Sequence, residues 1–240
     1  MTYIVIEESA SVRHLLCYLL LSLGIKGLPH ESKDSALEDI ANRPEIEGAI
    51  VDIDNKSVQG LDFIKAIKSR FGNRNIKLIA HTVQSHKDSV MAMAEMGVQG
   101  YLLKPFHETE SFKKLKNIIQ NFSGPNDNQR QHIRVVPLPD ELLRVHFRVT
   151  GNPTLISGKI INISMGGLAI ELVSPIEEEV VKPGILISKM QFSLFGRELT
   201  PSGELIVKKE KILGIRFESI SPNDSIHLAK YIYDRVSQEQ

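Results

Sequence analysis

Apolar positions recur along this chain in two different rhythms. Over residues 1–122, short apolar runs alternate with stretches of helical period. "YIVIE" (3–7), "GAIVDID" (48–54), "IKLIAHT" (76–82) and "GYLLKP" (100–105) read as buried strands, with a weaker one at "KGLPHES". Between and after them, "SVRHLLCYLLLSLG" (11–24), "KDSALEDIANR", "GLDFIKAIKSRFG" (60–72), "HKDSVMAMAEMG" (86–97) and "ETESFKKLKNIIQNF" (108–122) carry helical spacing, and Gly24 and Gly97 are stop signals. Five strand–helix alternations predict an α/β fold, a doubly wound five-stranded parallel sheet with helices on both faces. Its ligands would sit at the carboxyl ends of the strands.

The rhythm changes after "SGPNDNQRQ", and residues 123–129 read as a polar linker. Residues 130–240 then show short β runs separated by turn residues: "LLRVHFRV", "LISGKIINI", "GGLAIEL", "ILISKMQFSL", "GELIVKK" and "KILGIRFESI". This pattern predicts a mainly antiparallel β-barrel or sandwich. A C-terminal helix follows, with Ser221 or Asn223 as its cap and Pro222 near its start.

Composition adds exclusions. The 240 residues carry 29 Lys+Arg against 29 Asp+Glu, so no net charge drives the chain onto a nucleic acid polymer or a membrane. No apolar run reaches the roughly 20 residues of a membrane span. The first residues lack the basic start and long apolar core of a signal peptide. The single cysteine, Cys17, forms no internal disulfide and reads as a buried thiol in a reducing cytosol. A cytoplasmic chain gives little weight to the glycosylation sequons at Asn162-Ile163-Ser164 and Asn121-Phe122-Ser123.

In the first half, polar side chains gather at strand ends. Glu7 and Glu8 follow the first strand, Asp52 lies on the third, Thr82 ends the fourth, and Lys104 precedes Pro105 after the fifth. Clustered carboxylates suit Mg²⁺, and one of them could attack a phosphoryl group whose oxygens meet Lys104 and Thr82. His81 and His86 have no third ligand in register and read as structural or solvated.

Residues 1–122 resemble a response-regulator receiver domain of the chemotaxis-regulator type. The residues that carry this are Glu7-Glu8, Asp52 eight positions before Gly60 in "VDIDNKSVQG", Thr82, Tyr101 and "KPF" from Lys104. The resemblance implies that Asp52 accepts phosphate from a histidine kinase. It makes Glu7, Glu8 and Asp52 the metal set for Mg²⁺, Thr82 and Lys104 phosphate sensors, and Tyr101 a rotating switch. Three features depart from the family: both members of the acid pair are Glu, Lys56 replaces a common proline, and Val83 replaces a small residue.

In the second half, "RQHIR" places Arg130 and Arg134 four apart, and "NISMGG" sets Asn162, Ser164 and Gly167 inside a β run. Guanidinium forks bind phosphates and stack on bases, an amide reads a base edge, and glycine admits close approach. The pair R-x-x-x-R and [D/N]-x-S-x-x-G resembles the PilZ domain. The resemblance implies a six-stranded barrel that binds cyclic di-GMP through Arg130, Arg134, Asn162, Ser164 and Gly167. The expected organisation is therefore receiver 1–122, linker 123–129 and PilZ-like domain 130–240. The expected protein is a non-enzymatic regulator that passes its signal by interdomain rearrangement to a downstream protein, with a homodimer among its candidate assemblies. The alternative is an interaction scaffold whose receiver is not phosphorylated.

Overall fold

A computed structural model describes residues 1–122, 132–149, 151–152, 154–176 and 180–238. The chain forms two compact units, Met1–Gln129 and Arg130–Gln240.

The first unit is a parallel sheet of β1 (Thr2–Ile6), β2 (Lys26–His30), β3 (Ile46–Asp52), β4 (Lys77–Thr82) and β5 (Gly100–Leu103), in the order β2-β1-β3-β4-β5. Helices α1 (Ala10–Ser22), α2 (Lys33–Asn42), α3 (Gly60–Phe71), α4 (Lys87–Glu95) and α5 (Glu108–Phe122) connect and follow the strands. All five residues of β1 are buried, as expected of a central parallel strand covered on both faces. Ile4, Ile6, Ala49 and Val51 pack with Leu37 and Ile40 of α2 and Phe63, Ile64 and Ile67 of α3. Cys17 is fully buried on α1. Strand order reverses between β1 and β3, so the crevice of this sheet opens where Glu7, Glu8 and Asp52 emerge.

The second unit is a curled antiparallel sheet, a half-barrel, with a C-terminal helix. Its body is six adjacent strands in the order β13-β14-β9-β8-β7-β11. They are β7 (Arg144–Phe147), β8 (Ile156–Ser164), β9 (Gly167–Leu172), β11 (Met190–Leu194), β13 (Ser202–Lys209) and β14 (Ile212–Ser219). Three short strands attach: β6 (Arg134–Val135) on β8, β10 (Leu186–Ile187) on β13 and β12 (Arg197–Leu199) on β11. The six-stranded expectation matches the body, while the run "ILISKMQFSL" divides into β10 and β11 around Ser188-Lys189. Helix α6 (Pro222–Gln238) is capped by Ser221, whose Oγ accepts the Asp224 N–H at 3.1 Å, with Pro222 in the first helical position. Tyr231 and Arg235 of α6 both bond Glu141, the tyrosine hydroxyl at 2.8 Å, and so fasten the helix to the loop before β7.

Candidate functional sites

At the carboxyl end of the first sheet, Asp52 is the last residue of β3 and is 1% exposed. All three donors that reach it go to Oδ1: Lys104 Nζ at 2.6 Å and the N–H groups of Asp54 and Asn55 at 3.0 and 3.4 Å. Gly60 opens α3 against this strand end, where an added Cβ would lie 2.0 Å from the Asp52 carbonyl oxygen. Only glycine permits that approach. Burial pulls the Lys104 amine down, but the bond and charge of Asp52, with Glu7 and Asp54, raise it overall. Lys56, in contrast, is exposed, and among the described residues Lys104 is the cation on Asp52.

The two glutamates part company. Glu7 turns inward, 4% exposed, with Oε2 2.7 Å from Nδ1 of the buried His81. Burial raises the Glu7 carboxyl, but the hydrogen bond and charge of His81, the Ser9 N–H and Lys104 hold it below its usual range. Glu8 turns outward onto Asn55 and Ser57, the serine hydroxyl donating at 3.2 Å. Among the described residues, no three His, Cys, Asp or Glu side chains are placed to hold a metal ion. Glu7 faces His81 while Glu8 faces Asn55 and Ser57, so the two glutamates are not gathered on one point with Asp52 in this arrangement. The expectation that His81 is structural or solvated resolves to the first, and His86 is exposed just before α4.

Thr82 is fully buried. Its Oγ1 donates to Asp54 Oδ1 at 2.8 Å and accepts the Gln84 N–H at 3.0 Å. Asp54 Oδ2 accepts the Val83 N–H at 2.7 Å and lies 3.5 Å from Lys104 Nζ. Sequence reading did not single out Asp54, although it lies two residues past the strand-end aspartate, on the same crevice. The Val83 side chain points to solvent, 62% exposed, so only its amide contributes here. Tyr101 is half-buried, with Lys114 Nζ 3.8 Å above its ring.

In the second unit, strand register assembles the candidate site. Arg134 on β6 pairs with Ser164 on β8, Ser164 with Gly167 on β9, and Gly167 with Arg216 on β14. Residues paired across a sheet share a face. A register shift between Ile160 and Asn162 interrupts the alternation of β8, so the inward positions change from Ile156, Gly158 and Ile160 to Ile163. Asn162 thereby joins the outward face with Ser164, two residues on.

These residues line a cavity of about 440 Å³, with His132 and Gly166 on one side and the exposed Ile206, Val207 and Ile212 on another. Burial lowers the His132 imidazole, which favours its neutral form. Gly167 lets β9 and β14 close up, since a Cβ there would meet the Ile215 carbonyl oxygen at 2.1 Å. Ser164 is 5% exposed, donates to the Gly167 carbonyl at 3.1 Å and accepts the Gly166 N–H at 3.3 Å. Its hydroxyl therefore shapes the β8–β9 turn. Arg216 is held by Glu204 at 2.5 Å and Glu218 at 3.0 Å. Arg130 and the linker 123–129 lie outside the described residues. Sequence reading missed His132, Arg216 and the apolar wall; the first stands inside "RQHIR", and the others become neighbours only through strand pairing.

The first unit thus holds a strand-end carboxylate gripped by a lysine, and the second a row of arginine, serine and glycine across a half-barrel. Residues 3–116 match the response regulator receiver domain family, and residues 128–234 match the PilZ domain family. The chain is a receiver domain followed by a PilZ domain. The phosphate regulon transcriptional regulatory protein PhoB of Klebsiella pneumoniae is 27% identical over 120 residues, covering 50% of this chain and 52% of PhoB. The chain thus spans about half the length of the PhoB relatives it matches. Chemotaxis protein CheY of Pseudomonas aeruginosa is 18% identical over 124 residues, covering 52% of this chain and all of CheY. Among solved structures, Vibrio cholerae CheY4 overlays with a TM-score of 0.44 at 18% identity, covering 50% of this chain and 96% of that one. The PilZ domain with c-di-GMP of YcgR from Escherichia coli overlays with a TM-score of 0.40 at 16% identity, covering 47% and 95%. Among the described residues, no helix is long and apolar enough to cross a membrane.

Proposed function

We propose that this chain is a cytoplasmic response regulator that binds cyclic di-GMP in its PilZ domain and accepts phosphate on Asp52 of its receiver. The observation that carries the reading is the row Arg134–Ser164–Gly167 on one face, with Asn162 beside it over the cavity. Arg134 supplies a guanidinium for a phosphate or a guanine face. Asn162 offers a donor and an acceptor to a base edge, and Ile206, Val207 and Ile212 supply an apolar surface for a flat ring. Arg216 brings a second guanidinium to the same row, and His132 stands beside Gly166 as a neutral base contact. Arg130 completes the arginine pair.

In the receiver, the donors on Asp52 occupy Oδ1, which leaves Oδ2 as the attacking oxygen. From a histidine kinase, Oδ2 forms the new P–O bond while the P–N bond of the phosphohistidine breaks. The electron pair stays on the imidazole nitrogen, which takes a proton from solvent. Lys104 balances the charge that gathers on the phosphoryl oxygens.

Arg130 and Arg134 follow directly on the first unit in the chain. Closure of this pair on the ligand would rearrange the domains and alter a surface read by a downstream protein or a second copy. The chain acts through these contacts rather than by turning over a substrate. The domain limits remain 1–122, 123–129 and 130–240 in this reading. Amide resonances of the isotopically labelled full chain test it: cyclic di-GMP should shift Gly166, Gly167 and Ala169. No shift at these three amides at saturating ligand would overturn it.

The contacts of Glu7 with His81 and of Asp54 with Thr82 favour a second reading, a receiver kept for docking and never phosphorylated. Acetyl phosphate separates the two. A single phosphoryl adduct on the wild type, absent from Asp52→Asn, supports phosphorylation, and no adduct on either supports docking.

A further inference from the structure

Asp54 takes no part in the phosphoryl chemistry derived above, yet it holds three donors of that site. Thr82 Oγ1 donates to its Oδ1 at 2.8 Å and the Val83 N–H to its Oδ2 at 2.7 Å, while Lys104 Nζ stands 3.5 Å away. A hydroxyl, a backbone amide and an ammonium converging on one anion form the donor set that a phosphoryl group would use. The carboxylate belongs to the loop that follows β3, two residues past Asp52. Thr82 in turn accepts the Gln84 N–H at 3.0 Å, so the grip on Thr82 extends into the loop after β4.

We propose that the Asp54 carboxylate is a built-in occupant of the phosphoryl-receiving donors. It draws Thr82 and the Val83 amide into the crevice in the unphosphorylated chain, and it must leave before an anion on Asp52 can use them. The inference rests on the reading of Asp52 as phosphoacceptor for its consequence, but not for the contact itself. A phosphoryl group carries more charge and one more terminal oxygen than a carboxylate, so it can displace Asp54 at a cost. Asp54 is thereby a positioning residue. It lowers the site's affinity for a phosphoryl-like anion and holds the residues after β4 in their engaged place without one.

The test uses the full chain, with beryllofluoride in the presence of magnesium as the phosphoryl mimic and the Val83 amide proton as reporter. Without the mimic, this resonance should move upfield in Asp54→Ala, which deletes the acceptor, and less in Asp54→Asn, which keeps one. Asp54→Ala should bind beryllofluoride more tightly than wild type by about tenfold, the loss of one charge-assisted contact. An unmoved Val83 amide in Asp54→Ala, or equal affinity in wild type and Asp54→Ala, would overturn the proposal. If the amide moves but neither protein binds beryllofluoride, the contact stands and the reading of Asp52 as phosphoacceptor fails. Asp54→Asn guards against misfolding, since it preserves shape while removing charge.

Discussion

Arg134 and Ser164 are register partners across β6 and β8, and Val135 and Ile163 are the next pair along. The two halves of the nucleotide motif, some thirty residues apart in the chain, are thus cross-strand neighbours. Val135 and Ile163 point into the core, 2% and 0% exposed, which fixes the opposite face for Arg134 and Ser164. A slip by one residue would send the arginine inward, so core packing sets the direction of the motif.

Arg134→Ala should weaken cyclic di-GMP binding by about 10- to 100-fold, the value of a charge-assisted contact. Arg134→Lys should recover only part of the loss, because an ammonium lacks the planar fork. Equilibrium titration of the three proteins at one salt concentration checks both statements. Arg216→Ala should reduce affinity less, since that guanidinium is already shared with Glu204 and Glu218.

Ser164→Ala should cost about 1 kcal/mol of stability as well as affinity. The buried hydroxyl serves Gly166 and Gly167 of its own turn. A lower urea midpoint with unchanged slope would be the sign of this structural share.

Gly167→Ala should be the more damaging change, by about 2 kcal/mol or more. Its Cβ would lie 2.1 Å from the Ile215 carbonyl oxygen, so β9 or β14 must shift. Thermal unfolding of the PilZ transition measures the loss. A transition equal to that of wild type would show that the strands part easily.

His81→Ala should destabilise the receiver by about 3 kcal/mol, because it strands the Glu7 carboxylate in a buried place. The pair is 2.7 Å apart, with both side chains at most 5% exposed. His81→Ala combined with Glu7→Gln should recover part of the stability, which a double-mutant cycle reads directly.

Acid should loosen the hold of α6 on its sheet. Burial raises the Glu141 carboxyl, but bonds from Tyr231, the Leu138 N–H and Arg235 outweigh it and keep it below its ordinary 4.5. A depressed carboxyl stabilises the fold fully above 4.5 and loses that contribution as pH falls through the lower folded value. Unfolding free energy followed from pH 6 to about 3 should therefore fall more steeply in wild type than in Glu141→Gln.

Much of this was legible in the sequence. Short apolar runs and helical spacing locate all ten elements of the receiver, most weakly β2, where only Gly27 and Leu28 are buried. The second unit was legible in its six longer strands. The two-residue strands β6 and β10 and the three-residue β12 carry too few residues for a period. The site residues Asp52, Lys104, Thr82, Arg134, Asn162, Ser164 and Gly167 could be named from motifs, but their partners could not. Glu7 and Glu8 are adjacent and look alike, yet consecutive side chains at a strand end diverge, one to His81 and one to Asn55. Asp54 shares its composition with any loop aspartate, and its role depends on Thr82, twenty-eight positions on. Arg216 joins the row only because β14 pairs with β9.

The central claim is that the row Arg134–Ser164–Gly167 receives a cyclic dinucleotide. Calorimetric titration of cyclic di-GMP into the full chain, and into its Arg134→Ala variant, tests it most directly. The account predicts saturable binding to the wild type that is lost or weakened at least about tenfold in the variant. Equal heats of binding in the two proteins, or none in the wild type, would contradict it.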